Sequence, residues 1–178
     1  MLIFILTLLI IIIVETLILI PLAKRRWRTR PTKYLKRMRR RGKRRKVLYD
    51  INMVETGEEF EDLCCGMLDL CGFKDVSATP VTGDYGLDII CKKKDIKYGI
   101  QCKYYSGTVG VSGIQEAFAG SAFYECDVPV LMTNSTCTQN AKYLAETIGV
   151  EIWDRPVLTE MIDIGYREGK RRIRKGLM

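Results

Sequence analysis

At 178 residues the chain has room for one compact domain and its appendages, and 29 Lys and Arg against 21 Asp and Glu give it a formal charge of +8. The charge is segregated: residues 24–46 carry 15 basic side chains, residues 167–175 carry six against Glu168, and residues 47–166 hold 8 basic and 19 acidic groups, a net −11. The sequence contains no His, which excludes His-ligated metals, Ser-His-Asp and Cys-His relays and His phosphotransfer, and leaves carboxylates, Lys, Cys, hydroxyls or a bound metal for any chemistry.

Residues 2–22 (LIFILTLLIIIIVETLILIPL) form an apolar run interrupted by Thr7, Glu15 and Thr16. At ~1.5 Å per residue such a run spans about 30 Å, the hydrocarbon thickness of a bilayer. No basic residue precedes it and no small-residue cleavage site follows it at Pro21-Leu22-Ala23-Lys24, so a retained transmembrane helix over residues 1–23 is expected rather than a cleaved signal. The basic stretch that follows keeps its side of the membrane cytoplasmic. The expected arrangement is a single-pass cell-membrane protein, N-terminus outside and everything after residue 24 in the cytoplasm. Glu15 reads as a protonated or snorkelling carboxyl in a lone anchor.

Residues 24–46 lack helical apolar periodicity and read as a basic juxtamembrane linker. Attraction to anionic lipid is their minimum role. Contact with nucleic-acid phosphates, with Trp27 and Tyr34 available to stack on bases, and screening of the acidic domain are two further ones.

The domain from 47 to 166 reads as mixed α/β. Phe60, Leu63, Cys64, Met67, Leu68 and Cys71 recur at helical spacing, Thr56 and Glu59 are placed as a capping box, and Gly72 stops the helix. A short run Asp75–Ala78 and a turn-rich segment Pro80–Gly86 come next, followed by strands Leu87–Lys92 and Tyr98–Tyr104 about a polar turn. A helix over Gly113–Tyr124, a buried strand Val128–Met132, a helix Thr138–Ile148, a strand Val150–Trp153 and a helix Leu158–Ile164 complete the pattern. The order αβββαβαβα predicts a mixed β-sheet flanked by helices. Residues 167–178 read as a basic C-terminal tail. Seven cysteines without a C-x-x-C pair suggest neither disulfides nor zinc, and read as small apolar filler. Thr133-Asn134-Ser135 stands where a strand gives way to a helix and reads as capping, with phosphate contact the minor alternative. Tyr104 and Tyr105 read as core or rim packing before DNA contacts.

One constellation carries chemistry. Gln101 and Lys103 are two apart on a strand and leave the same face of the sheet. If the two strands form a hairpin, Asp88 comes close to them. A carboxylate, an amide oxygen and an ammonium then share one spot, as metal-assisted phosphodiester hydrolysis requires: oxygen ligands for a hard divalent cation and a nearby amine. A helix-borne carboxylate, Glu61 first and Glu58 second, would complete the shell. By itself the spacing D-x12-Q-x-K is weak, because Gln and Lys on a strand usually form a solvated face.

Gly57-x-x-Phe60-Glu61, Gly83-Asp84-Tyr85-Gly86-Leu87-Asp88 and Gln101-Cys102-Lys103-Tyr104 together resemble the Mrr-like restriction endonuclease domain of the PD-(D/E)xK nuclease superfamily. Val109-Gly110-Val111, the Gln115–Ala122 helix, Val130–Asn134 and Thr138–Ala145 continue the resemblance over roughly residues 55–162. It implies a restriction-endonuclease-like fold and a deoxyribonuclease, type IV-like, dependent on Mg²⁺ (or Mn²⁺) and acting on DNA. By matching positions it implies that Asp88 is the metal-binding carboxylate and that Gln101 stands where the wider superfamily has an acid. It further implies Lys103 as the catalytic lysine, Glu61 as the helix-borne acid and the Cys102 carbonyl as a further metal ligand. Nucleases of this kind that cut both strands pair, so a homodimer is also expected. Gly83 and Gly86 would permit the turn that presents Asp88, and Asp84 would cap that turn or reach the metal shell through water.

The anchor and the net −11 depart from the family pattern. A polyanion is repelled by such a domain, so DNA affinity is expected from the basic flanks, a local patch or a partner. Two non-catalytic readings stand beside the enzyme: a membrane-tethered nucleic-acid- or partner-binding module, and a structural protein that addresses anionic lipid.

Overall fold

In a computed structural model of the chain, residues 51–79 and 85–175 are described. The apolar run 2–22, the linker 24–46 and the Gly83-Asp84 pair lie outside them. Among the described residues no helix is long and apolar enough to cross a membrane.

After a short 3-10 turn at Ile51–Met53, helix α1 spans Gly57–Leu70. Thr56 caps it, its hydroxyl accepting from the Glu59 amide at 3.2 Å. The Glu59 carboxylate returns the bond to the Glu55 amide at 3.0 Å, one residue before the cap itself. The helix ends as its sequence anticipates, with the Phe73 amide on the Leu68 carbonyl and the Gly72 amide on that of Asp69.

Strands β1 (Lys74–Ala78), β2 (Ile89–Lys93), β3 (Ile96–Lys103), β4 (Val128–Thr133) and β5 (Glu151–Trp153) form one sheet in chain order. The β1–β2 and β2–β3 pairs are antiparallel, the β3–β4 and β4–β5 pairs parallel. The hairpin between β2 and β3 turns on Lys94 and Asp95, with Lys93 opposite Ile96. Parallel pairing needs crossovers, and helices α2 (Val111–Phe123) and α3 (Gln139–Ile148) supply them.

The strand alternation divides the interior in two. On one face Ile89, Cys91, Ile100, Cys102, Val130 and Met132 pack with α1 and with Leu158 of the last helix. On the other Leu131 packs with Ile114 and Ala117 of α2 and with Ala141 and Ala145 of α3. The sheet is therefore covered on both faces, which accounts for the apolar runs of β3 and β4.

Most element boundaries shift by a residue or two from the sequence expectation, and two differences matter here. Leu87 and Asp88 lie just before β2 rather than inside it. The last helix, α4, runs Arg155–Arg174, so most of what reads as a basic tail from residue 167 is helical. Its apolar periodicity does fade after Ile164. Beyond that point Glu168 pairs with Arg171 and Arg172, Arg172 reaches Asp69 on α1, and α4 passes Leu70 of α1 at Gly165 and Gly169.

Candidate active site

Asp88 is positioned by its backbone from both sides. Its amide donates to the Ile100 carbonyl of β3 at 2.9 Å, and its carbonyl accepts from the Thr79 amide, just past β1, at 2.8 Å. The Thr79 hydroxyl donates to the neighbouring Leu87 carbonyl. The turn that leads in has Tyr85 and Gly86 in the left-handed region, at φ 51° and 86°. A Cβ on Gly86 would stand 2.9 Å from the Glu116 carbonyl oxygen of α2, and one on Gly120 would stand 2.7 Å from the Tyr85 carbonyl oxygen and from Leu87 Cγ. Glycine at both positions lets α2 close directly on the turn that delivers Asp88. The Tyr85 ring stacks on Phe123 at the end of α2, with centroids 3.8 Å apart.

The Asp88 carboxylate accepts from Gln101 Nε2 and from the Cys102 amide, each at 2.6 Å. Gln101 Nε2 also donates to the Cys102 carbonyl at 3.2 Å. The three oxygen-bearing groups singled out from the sequence thus meet around one amide. Gln101 is only 6% exposed, so this is a buried polar cluster and not the solvated strand face that its spacing alone allows.

Gln101 and Lys103 alternate with Ile100 and Cys102 along β3, and so face α2. There the Lys103 amine forms an ion pair with the Glu116 carboxylate, the two side chains being 20% and 40% exposed. Asp88, bonded to Gln101, and Lys103 therefore lie on the same side of the sheet. Glu116 lies within the Gln115–Ala122 helix, but the sequence assigns it no role of its own. The one trace of it is its four-residue spacing from Gly120, which puts both on the stripe of α2 that meets the Asp88 turn.

Cys102 divides its roles. Its backbone serves Asp88, while its thiol turns to the opposite face, where a hydrogen bond with Cys64 of α1 and burial push the thiol up. Glu61 also belongs to that side. It is half-buried on α1, one turn before Cys65, whose thiol is pushed up by burial first and by the neighbouring charges, Glu61 among them. Its helix packs on the face opposite Gln101 and Lys103. Glu58 is exposed.

The ends of β3 and β4 are stitched together beside the site. The Thr133 hydroxyl donates to the Lys103 carbonyl at 2.7 Å, and the Asn134 side chain accepts from the Tyr105 amide at 2.7 Å and donates to its carbonyl at 3.0 Å. The expectation of helix capping at Thr133-Asn134-Ser135 is corrected here. The N-cap of α3 is Thr138, four residues beyond Asn134, so these side chains are free to bridge two parallel strands instead. Tyr104 packs inward, 5.8 Å from the Phe60 ring, and donates its hydroxyl to the Val54 carbonyl at 2.5 Å. Tyr105 is exposed.

Among the described residues no three His, Cys, Asp or Glu side chains converge on a metal position. The set at Asp88 is mixed: a carboxylate and a backbone carbonyl, with the Gln101 amide nitrogen between them and an amide oxygen available once that group is turned over. That chemistry fits a hard divalent cation and not a thiolate-seeking one.

The family model Mrr_cat, described as a restriction endonuclease, matches residues 53–162. No curated protein matches. Of the solved structures, a protein of unknown function, AF1548, aligns at 17% identity and a TM-score of 0.48 over 66% of this chain and 77% of its own. The DNA modification-dependent restriction endonuclease AspBHI aligns at 16% identity and a TM-score of 0.48 over 71% of this chain, which spans 34% of that protein.

Proposed function

From the premise that this chain belongs to the Mrr_cat restriction endonuclease family, we propose that it is a DNA endonuclease of type IV-like character, dependent on Mg²⁺ or Mn²⁺ and tethered to the cell membrane. The observation that carries the reading is the convergence of the Asp88 carboxylate, the Gln101 amide and the Cys102 carbonyl, with Lys103 on the same face. Asp88, Gln101 and the Cys102 carbonyl would hold the cation, while Glu61, on the helix that packs against the opposite face of the sheet, stands outside that set. Bound there, a divalent ion supplies Lewis-acid chemistry, polarising a phosphate and acidifying water.

The protein's own part is positioning and charge. The Cys102 amide and Gln101 fix the carboxylate of Asp88, so its negative charge is presented without reorganisation. Gln101 presents its nitrogen to Asp88, and half a turn of the amide presents its oxygen to the same spot. Lys103 offsets the charge that develops on the phosphate oxygens. An amide in the place of an acid leaves one formal charge fewer to hold the ion, so modest metal affinity is expected.

Residues 1–23 would anchor the chain, with the linker 24–46 on anionic lipid or on DNA phosphates and the nuclease domain in the cytoplasm; cutting both strands would use a homodimer. The net −11 of residues 47–166, which repels a polyanion, favours the second reading in its partner-binding form, a tethered module without catalysis.

Nicking of supercoiled plasmid by the full chain in mild detergent separates the two. With Mg²⁺ present the plasmid is nicked, with a chelator it is not, and Lys103→Ala slows the reaction by about 10²–10³-fold. Cleavage by Lys103→Ala at the wild-type rate removes the mechanism. DNA retention without cleavage makes the chain a binding module.

A further inference from the structure

We propose that Glu116 is the positioning residue for Lys103, holding its ammonium at the site through their ion pair; the proposal rests on the nuclease reading above. Lys carries a flexible four-carbon stem with several rotatable bonds, so an unrestrained amine beside a reacting phosphate is poorly placed for catalysis. Three features make Glu116 more than a passing surface contact.

Its partner is four-fifths buried, in surroundings where a charge pair is screened less than at an open surface. Its own backbone is registered to the site, because the Glu116 carbonyl abuts Gly86 in the turn that leads to Asp88, and Gly120 seats the next turn of α2 against Tyr85 and Leu87. The other end of Lys103 is fixed independently, through the Thr133 hydroxyl on its carbonyl. One helix contact thus sets both the acid of the site and the anchor of its amine. A shift of α2 along the turn moves Asp88 and Lys103 together, which preserves their relation.

The test uses the full chain and two variants, Glu116→Gln, which keeps the shape and removes the charge, and Glu116→Asp, which keeps the charge on a shorter arm. In plasmid nicking, Glu116→Gln is expected to lower kcat between about 10- and 100-fold. KM for plasmid, the Mg²⁺ concentration at half-maximal rate and the thermal midpoint are expected to stay where they are, and Glu116→Asp recovers part of the rate.

A second readout needs neither metal nor activity. The acylation rate of Lys103 by an amine-directed reagent, followed by mass spectrometry in metal-free protein, is expected to rise severalfold in Glu116→Gln. Wild-type kcat in Glu116→Gln overturns the proposal. So does a raised Mg²⁺ requirement with unaltered acylation, which would assign Glu116 to the ion. If the wild-type chain nicks nothing, the nuclease reading fails, and unaltered acylation in Glu116→Gln then overturns the pairing role separately.

Discussion

Asp88 accepts two N–H bonds at 2.6 Å from β3, one from the Cys102 main-chain amide, which no substitution short of proline removes. Gln101 suits its position because an amide offers a donor to the carboxylate on one side and an oxygen on the other, whereas a second acid there would repel the first. Both residues stand out in the sequence, since a period of two and a hairpin suffice to bring them together. Glu116 does not stand out, because what matters about it is a packing contact between α2 and a turn.

Five of the seven cysteines are buried and Cys71 and Cys126 are half-buried, and burial has a consequence for pH. Burial foremost, with Cys126 adding to it, pushes the Cys91 thiol up to about 12. An unfolded thiol loses its proton near 8.5, so between about pH 9 and 12 the folded chain binds more protons than the unfolded one and stability falls as pH rises. The thermal midpoint should decline through that window, and Cys91→Ala should decline less steeply from a lower starting value. An equal slope in the variant would show that this thiol does not contribute.

At the level of elements, α1 is nearly complete in the sequence: Thr56 and Glu59 open it, the apolar stripe buries it, and Gly72 closes it. The strands and crossover helices also follow from local patterns. What is not legible is how elements meet. Gly120 looks like a weak point in a helix, yet it is where α2 touches Tyr85 and Leu87. A methyl group there has to displace a backbone carbonyl and a buried leucine. Gly120→Ala is therefore expected to destabilise the domain by about 1–3 kcal/mol and to slow catalysis by shifting the Asp88 turn. Denaturant unfolding measures the first effect, and an unchanged midpoint would mean that α2 does not bear on the turn. The extent of α4 was hidden for a related reason: its last turns depend on Glu168 and on contacts with α1 rather than on an apolar stripe.

Along the whole chain, charge is segregated by sequence position. The stretch that carries the site, residues 47–166, is net −11, and the positive charge is concentrated in residues 24–46 and in the final turns of α4. DNA approaching the site under the proposed function meets repulsion that the basic flanks offset, so its binding should weaken steeply with salt. The same arrangement sets the value of Lys103, one of eight basic residues among nineteen acids in residues 47–166. The account as a whole depends on Asp88 being the carboxylate that serves this centre. The nicking rate of supercoiled plasmid at saturating Mg²⁺ by full-length Asp88→Asn tests that most directly. The account predicts a rate at least about 10²-fold below wild type at an unchanged thermal midpoint, and cleavage by Asp88→Asn at the wild-type rate would contradict it.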